Sequence, residues 1–227
     1  MWLSRYTIGD PLNRQGPQPM HLHSDSFKDN TPIPVIYAFA KPGKEFNLSS
    51  NRSPHLAWTD APEGARSFVL TCIDPDVPSR FDDANQEGRS IPADLPRVEF
   101  VHWLMANIPP ECNVLAEGFC SDGVVAHGKR DPHGPPGSVQ GRNAYSEGLA
   151  NNAELSGLYL GYDGPCPPWN DCLVHRYCFG LYALDVTRLN LESGFTRDEL
   201  RAALRGHVLA EARLRGTYTR NPDLVEV

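Results

Sequence analysis

The chain has 227 residues, of which 40% are hydrophobic and 22% are charged, and its formal net charge is −7. These values are ordinary for a globular protein and argue against a disordered or fibrous class. No run of basic residues exceeds the Lys129-Arg130 pair, so the sequence offers no extended basic surface for a nucleic-acid backbone. We therefore do not expect nucleic acid as a partner.

A chain of this length can bury a full hydrophobic core and lies in the range in which all-β proteins form one domain. We predict a single domain over residues 1–227. Met1–Asp10 lacks the basic stretch and apolar run of a secretory signal, and no run of about 18 apolar residues occurs that would insert into a membrane. The six cysteines are scattered and form no C-x-x-C pair, which is typical of reduced thiols. We expect a cytoplasmic protein without integral membrane insertion.

The 21 prolines and 19 glycines punctuate the chain too often for a helical bundle, and they favour strands joined by turns. We interpret His21-Leu22-His23, in the polar first part of the chain, as a surface loop. Alternating or continuous apolar runs then predict extended segments at 34–39, 55–58, 65–74, 99–108 and 175–186. The last three of these should be neighbours in one sheet. The third should end at Asp74, because Pro75 and Pro78 cannot continue a central ladder.

Thr196 and Glu199 have the spacing of a capping box, which predicts a short helix that stops near Gly206. A further helical turn is expected at 207–210, followed by a closing strand at 212–218. Long polar, turn-rich stretches in a compact domain are usually functional loops. We interpret three of them as loop insertions, near residues 79–98, 120–138 and 146–160.

Several polar side chains fall on apolar strand faces. In an extended segment Asp74 shares a face with Phe68, Leu70 and Cys72, and His102 shares one with Phe100 and Leu104. His175 begins the most hydrophobic strand, two residues before Tyr177. Each residue taken singly is explained more simply by a buried structural role. Gly164-Pro-Cys-Pro-Pro168 precedes them as a rigid segment, which would form either a pocket wall or a surface turn.

Four short motifs occur in order: Asp74-Pro-Asp-Val-Pro78, His102-Trp-Leu-Met-Ala-Asn-Ile108, Gly164-Pro-Cys-Pro-Pro168 and His175-Arg-Tyr177. Together they resemble the phosphatidylethanolamine-binding protein family, also known for Raf kinase inhibitor proteins, and its bacterial branch in particular. The resemblance implies a mostly β (α+β) fold, in which a large antiparallel sheet packs on a smaller sheet and short helices lie near the C-terminus. It also implies a ligand-binding pocket formed by Asp74, Asp76, Pro78, His102, Pro167, Pro168, His175 and Tyr177.

A carboxylate near a histidine favours the imidazolium, which donates two hydrogen bonds to an anion. This chemistry suits small phosphate or carboxylate ligands of the phospholipid head-group type. The resemblance implies that they are bound non-enzymatically, with neither a cofactor nor a metal. Affinity should then fall as the pH rises through the histidine pKa. The resemblance leaves open an alternative function, in which the pocket rim inhibits or modulates a protease or kinase. The insertions could cover the pocket or form a homodimer interface.

Two further interpretations of the same residues are weaker. Two histidines and an aspartate also occur in metal sites and in hydrolases. Against a hydrolase, the sequence contains no G-x-S-x-G elbow. The one reactive candidate inside the Gly-Pro segment is Cys166. We expect a packed thiol at Cys166 and no catalytic residue.

Overall fold

The computed structural model describes residues 19–225, so the Met1–Asp10 segment lies outside the described residues. The strands are β1 His21–His23, β2 Thr31–Pro32, β3 Leu56–Thr59, β4 Ser67–Pro78, β5 Arg97–Ile108, β6 Val114–Leu115, β7 Val139–Gln140, β8 His175–Leu184 and β9 Val208–Tyr218. The helices are α1 Tyr145–Gly148 and α2 Arg197–Ala203, and a 3-10 turn spans Val35–Tyr37. None of the helices in this part of the chain is long and apolar enough to cross a membrane.

The strands form two sheets. The larger has the order β2, β9, β8, β4, β5, β7, and the smaller has the order β1, β3, β6. All pairs are antiparallel except β2 with β9. The prediction of a large antiparallel sheet beside a smaller one is confirmed, and the three long segments predicted as neighbours are β8, β4 and β5 in one sheet.

The main core lies between the two sheets. Trp58 of β3 meets Phe68 of β4 edge-on, with ring centroids 5.4 Å apart, and both side chains are almost completely buried. A second cluster covers the opposite face of the large sheet, where Leu104 packs with Leu200 of α2. The central strands are therefore covered on both faces, which agrees with the continuous apolar pattern of β8.

Two predictions in the first part of the chain are wrong. Residues 34–39 contain a 3-10 turn instead of a strand, because the Tyr37 N–H bonds to the carbonyl of Pro34 within the segment and leaves no ladder. His21–His23 is a strand instead of a loop. Leu22 alternates between two exposed histidines and pairs with Trp58, so a short period-two pattern forms the edge of the small sheet.

The capping box is confirmed. The Glu199 N–H donates to Thr196 Oγ1 at 3.3 Å, and the Thr196 N–H donates to Glu199 Oε2 at 2.7 Å. The helix ends at Ala203, before the predicted stop near Gly206. The expected helical turn at 207–210 is wrong, because Val208 already pairs with Leu184 as the first residue of β9. Antiparallel pairing with β8 determines this conformation, which local sequence does not indicate.

Strand β4 continues four residues beyond its predicted end at Asp74. Its pairing with β8 stops at Ile73, and from there β4 pairs with β5 alone through Val77 and Pro78, after a register shift. Pro75 lies inside this irregular stretch, where its missing N–H leaves no ladder bond unmade. The prolines thus occur where the strand has one neighbour instead of two.

Candidate functional site

A cavity of about 560 Å³ lies at one end of the large sheet. Its walls come from the three central strands, the loop before β8, the start of α1, the 79–98 insertion and the segment after β9. Its main lining residues are Phe46, Asp74, Phe81, Val98, Phe100, His102, Tyr145, Leu149, Cys166, Pro167, Pro168, His175, Tyr177 and Arg220.

The structure brings six of the eight predicted ligand-binding residues to this cavity: Asp74, His102, Pro167, Pro168, His175 and Tyr177. Asp76 and Pro78 are not among its lining residues, whereas Val77 between them is. Asp76 instead receives hydrogen bonds from Arg176, with Nη2 to Oδ1 at 2.6 Å and Nε to Oδ2 at 2.8 Å. Burial opposes ionisation of Asp76, but the Arg176 guanidinium lowers the pKa of this carboxyl overall.

A β-bulge in β5 directs His102 into the cavity. Cys72 pairs with Trp103 and the adjacent Ile73 pairs with Val101, so His102 is an extra residue in its strand. Leu104 lies on the opposite face, in the cluster around α2. The prediction that His102 and Leu104 share a face is therefore wrong, because the bulge breaks the alternation. His102 and Phe100 remain together, with ring centroids 4.9 Å apart.

His175 is held between two carboxylates. Its Nδ1 lies 2.7 Å from Asp74 Oδ2 and its Nε2 lies 3.0 Å from Asp171 Oδ2. Burial disfavours the charged ring, but the hydrogen bonds to Asp171 and Asp74 raise the pKa of His175 to about 9. The imidazolium thus donates both N–H groups to the protein and retains none for a ligand. It also retains no lone pair for a metal.

Asp171 extends this arrangement toward the surface. Arg97 donates to both of its oxygens, from Nη1 to Oδ2 at 2.5 Å and from Nη2 to Oδ1 at 3.0 Å. Burial opposes ionisation of Asp171, but hydrogen bonds from His175 and Arg97 lower its pKa overall. The chain Asp74, His175, Asp171 and Arg97 alternates in charge. Each buried charge therefore has an opposite neighbour, which is the condition under which buried charges are stable.

His102 is neutral and presents an acceptor. Its Nδ1 lies 2.7 Å from the carbonyl oxygen of Asp163, an acceptor only, so Nδ1 is assigned the proton and Nε2 the lone pair. Burial lowers the pKa of His102, although nearby Asp74 has the opposite effect. Nε2 makes no hydrogen bond within residues 19–225.

The Tyr177 hydroxyl is the second unused polar group. It is fully buried, and it makes no hydrogen bond of normal geometry with the described part of the chain. Burial, and after it the charge of Asp74, raise the pKa of Tyr177 well above its usual value. The phenol therefore stays protonated and can donate. A buried hydroxyl without a partner costs free energy, and its presence at a cavity suggests a group that a ligand satisfies.

The loop before β8 is rigid because its backbone groups are bonded to the core. The Tyr145 hydroxyl donates to the Gly164 carbonyl at 2.6 Å, and the Gly164 N–H donates to Asn51 Oδ1 at 2.8 Å. A Cβ at Gly164 would lie 2.0 Å from the Tyr37 carbonyl oxygen, so only glycine allows this close approach. The prediction that 164–168 forms a rigid segment is supported by these bonds.

Asp163 anchors the same loop from behind. Lys129 Nζ lies 2.5 Å from its Oδ1, and the amides of Asn51 and Asn143 donate to its two oxygens at 2.7 and 2.8 Å. Asp163 is completely buried. Since Lys129 comes from the 120–138 insertion, that insertion supports the Asp163 backbone carbonyl that accepts the hydrogen bond from His102 Nδ1.

The other two insertions contribute to the cavity wall. Phe81 belongs to 79–98, and Leu149 belongs to 146–160. The 79–98 loop is attached to the segment before β8, because the Ile91 N–H donates to the Asn170 carbonyl and the Cys172 N–H donates to the Ile91 carbonyl, both at 3.0 Å. Two of the three insertions therefore line the cavity.

Sequence patterns missed several of the residues at this site. Asp171 lies four residues before His175 in an irregular loop. Arg97 is the first residue of β5 and Arg220 follows β9, and neither position carries a periodic signal. Tyr145 stacks on Phe39, with centroids 4.5 Å apart, and its position depends on α1. No local signal identifies these residues, since each contributes through a contact with a distant segment.

Comparisons with known proteins agree with this architecture. A family model described as phosphatidylethanolamine-binding protein matches residues 23–219. A UPF0098 protein of Methanothermobacter thermautotrophicus is 37% identical over 201 residues, which cover 88% of this chain and 99% of that protein. The UPF0098 protein YbhB of Escherichia coli is 31% identical over 200 residues, which cover 88% of this chain and 100% of that protein.

Two solved structures are similar as well. A structure described as a putative phosphatidylethanolamine-binding protein homolog, CT736 from Chlamydia trachomatis, has a TM-score of 0.61 and 32% identity, covering 88% of this chain and 97% of that chain. E. coli YbcL, described as a member of the mammalian family, has a TM-score of 0.64 and 26% identity, with coverages of 89% and 99%. Because the family model spans most of the chain and the relatives match over nearly their whole length, the chain belongs to the phosphatidylethanolamine-binding protein family.

Proposed function

We propose that this protein binds small phosphorylated or anionic ligands of the phospholipid head-group type without catalysing their conversion. The observation that carries the proposal is the floor of the cavity. Two polar groups there, His102 Nε2 and the Tyr177 hydroxyl, line the cavity with the Asp74 carboxylate and make no hydrogen bond of normal geometry within residues 19–225. Family membership supports a ligand-binding protein in general.

The floor is rich in acceptors. Asp74 accepts one bond at each oxygen, from the Asp76 N–H and from His175, and a carboxylate oxygen can accept a second. His102 offers its Nε2 lone pair, and His175 has no free N–H. A bare anion is therefore a poor match for this floor, whereas an amine or hydroxyl can donate to it. A head group that combines an anionic group with such a donor matches best.

The upper part of the cavity is apolar. Phe100 and Tyr145 meet edge-on, with ring centroids 5.2 Å apart, and the side chains of Phe46 and Phe81 are exposed while also lining the cavity. Exposed aromatic side chains at a cavity mouth are typical of sites that receive an apolar portion of a ligand. This favours a head group attached to a lipid-like portion.

The one thiol that lines the cavity in the described part of the chain is not activated, which supports a binding function. Burial raises the pKa of the Cys166 thiol to about 11, against the lowering effect of Arg220. A thiol with this pKa is almost entirely protonated near neutral pH and is a poor nucleophile. His175 cannot serve as a base because its ring is already an imidazolium between two aspartates.

The proposal is tested by NMR titration of the protein with phosphoethanolamine and phosphocholine. Both ligands carry a phosphate and a cationic nitrogen, but phosphocholine has no N–H donor. We expect phosphoethanolamine to bind at least tenfold more tightly, with shifts at the amides around Asp74 and His102. Equal affinities, or shifts that avoid the cavity, would contradict the proposed recognition.

Three related points stay predictions. The exposed aromatic rim also suits the alternative function, in which a protease or kinase docks there. A homodimer that uses the insertions and a cytoplasmic location both rest on the sequence alone.

A further inference from the structure

The second and third insertions contact each other through two glycines, one from each insertion. Gly128 has a φ of +82°, and a Cβ added to it would lie 2.1 Å from the carbonyl oxygen of Leu158. A Cβ added to Gly157 would lie 2.2 Å from the carbonyl oxygen of His127. Each glycine thus packs its Cα against a carbonyl of the other insertion, which only a residue without a side chain allows. We call these four residues the glycine clamp.

A side-chain hydrogen bond joins the same two insertions. His127 Nδ1 lies 2.8 Å from the carbonyl oxygen of Ser156, and since a carbonyl only accepts, Nδ1 is assigned the proton. His127 has a φ of +65°, in the left-handed region that residues with side chains seldom adopt. The Gly128 N–H closes this turn on the Val125 carbonyl at 3.0 Å. Such a conformation persists because the surrounding contacts hold it, so the turn is shaped to meet the third insertion.

Hydrogen bonds continue from the clamp to the cavity wall. The Ser156 N–H donates to the Asn152 carbonyl at 2.8 Å, and the Asn152 N–H donates to the Leu149 carbonyl at 2.9 Å. Leu149 lines the cavity, whereas the clamp residues do not. In the described part of the chain, the bond from His127 is the one hydrogen bond that joins residues 150–158 to a segment beyond their own insertion. The clamp is therefore the main outer attachment of this part of the wall.

We propose that the glycine clamp holds the Leu149 side of the cavity wall closed and so slows the release of a bound ligand. The part that concerns the ligand rests on the proposed function. Segments with few attachments open at a lower free energy than the core of a domain. Without the clamp, the third insertion opens while the large sheet stays folded. Opening of a wall segment of this kind sets the rate at which a ligand leaves.

Gly128→Ala and Gly137→Ala form a matched pair of variants. Both glycines belong to the 120–138 insertion, and their φ angles of +82° and +84° are nearly equal, so an alanine is strained alike at either position. Nothing lies within 4 Å of a Cβ at Gly137, whereas a Cβ at Gly128 meets the Leu158 carbonyl. Only Gly128→Ala therefore forces the clamp apart. His127→Asn is milder, because asparagine tolerates a left-handed conformation and only the imidazole is lost.

The first experiment measures amide hydrogen exchange of the free full-length protein by NMR. The reporters are the amides of Leu149, Asn152 and Ser156, which are hydrogen-bonded at 2.8 to 2.9 Å. Amides of β4 and β8 report on global unfolding. In the wild type the reporters should exchange faster than β4 and β8, because they exchange through local opening.

We expect Gly128→Ala to speed exchange at the reporters by about tenfold or more, and His127→Asn by about threefold, because the clamp no longer opposes opening. Gly137→Ala should leave the reporters unchanged even if it speeds exchange in β4 and β8, because its strain is released only by global unfolding. Reporters that exchange at the rate of β4 and β8, or that respond equally to the two alanine variants, would overturn the clamp. His127→Asn changes an exposed side chain and decides the question by itself if Gly128→Ala does not fold.

The second experiment measures by NMR the dissociation rate of dihexanoylphosphatidylethanolamine, a short-chain lipid, below its critical micelle concentration. We expect dissociation from Gly128→Ala to be about tenfold faster than from the wild type, and dissociation from Gly137→Ala to be unchanged. If the wild type does not bind this lipid, the proposed function and the role in ligand release are overturned, and hydrogen exchange still decides the clamp. If the wild type binds and both alanine variants release the lipid equally fast, only this inference is overturned.

Discussion

The replacement of Tyr177 by Phe tests the unused hydroxyl directly. This hydroxyl is buried and makes no hydrogen bond of normal geometry in the described part of the chain, although it lies near enough to Asp74 for the carboxylate to act on it. Removing it therefore breaks at most a long contact with Asp74 and relieves the desolvation of a polar group. The cost of such a group is about 1–3 kcal/mol. We therefore expect Tyr177→Phe to leave the free energy of unfolding unchanged or to raise it by up to about that amount.

Ligand affinity should move in the opposite direction. A hydrogen bond from the phenol to a charged ligand contributes about 1.5–3 kcal/mol, which corresponds to a loss of roughly tenfold or more. Urea unfolding of the free protein and NMR titration with phosphoethanolamine measure the two effects separately. A binding group whose removal stabilises the free protein shows that the hydroxyl is kept for the ligand.

Tyr162→Phe is the control, because Tyr162 is buried to the same extent, with 1% exposed, but is fully used. Its hydroxyl donates to the Tyr37 carbonyl at 2.6 Å. Removing it leaves that carbonyl without its partner and should lower the free energy of unfolding by about 1–3 kcal/mol. If Tyr177→Phe loses as much stability as Tyr162→Phe, or binds phosphoethanolamine like the wild type, the reasoning is refuted.

Three further predictions concern the buried charges. The pKa of His175 is raised to about 9, so the stability that its charge contributes, up to roughly 3 kcal/mol, is full below the unfolded pKa near 6.5 and is lost as the pH rises toward 9. Urea unfolding of the wild type from pH 6.5 to 8.5 should show this decline in the free energy of unfolding, and His175→Gln should not show it. A flat wild-type profile would contradict the pairing. Ring ¹⁵N NMR should show neutral His102 protonated on Nδ1 and titrating below 6.5; titration above that value would exclude the assigned acceptor. Lys129→Met should lower the free energy of unfolding by about 3 kcal/mol, because buried Asp163 loses its cation. The control Lys44→Met removes an exposed pair with Glu87 and should lower it by less than about 1 kcal/mol. Equal losses in the two variants would show that the Asp163 pair is not essential.

The sequence by itself determined the central strands and the identity of the main site residues. Period-two patterns located β4 and β5, and a continuous apolar run located β8. A sheet face that packs on a core requires apolar side chains at alternate positions, and a strand covered on both faces requires them at successive positions. The capping box located the start of α2, because its two hydrogen bonds join residues only three positions apart. The four ordered motifs indicated the family, and with it the convergence of Asp74, His102, His175 and Tyr177.

Only the tertiary structure decided how those residues are used. His175 is a charged structural centre instead of a free donor, because Asp171 in an irregular loop occupies its second nitrogen. His102 faces the cavity through a bulge that depends on pairing between β4 and β5. Arg220 becomes a buried cation because the 41–45 carbonyls surround it. Each outcome follows from hydrogen bonds that connect segments distant in sequence, and local residue patterns carry no information about such bonds.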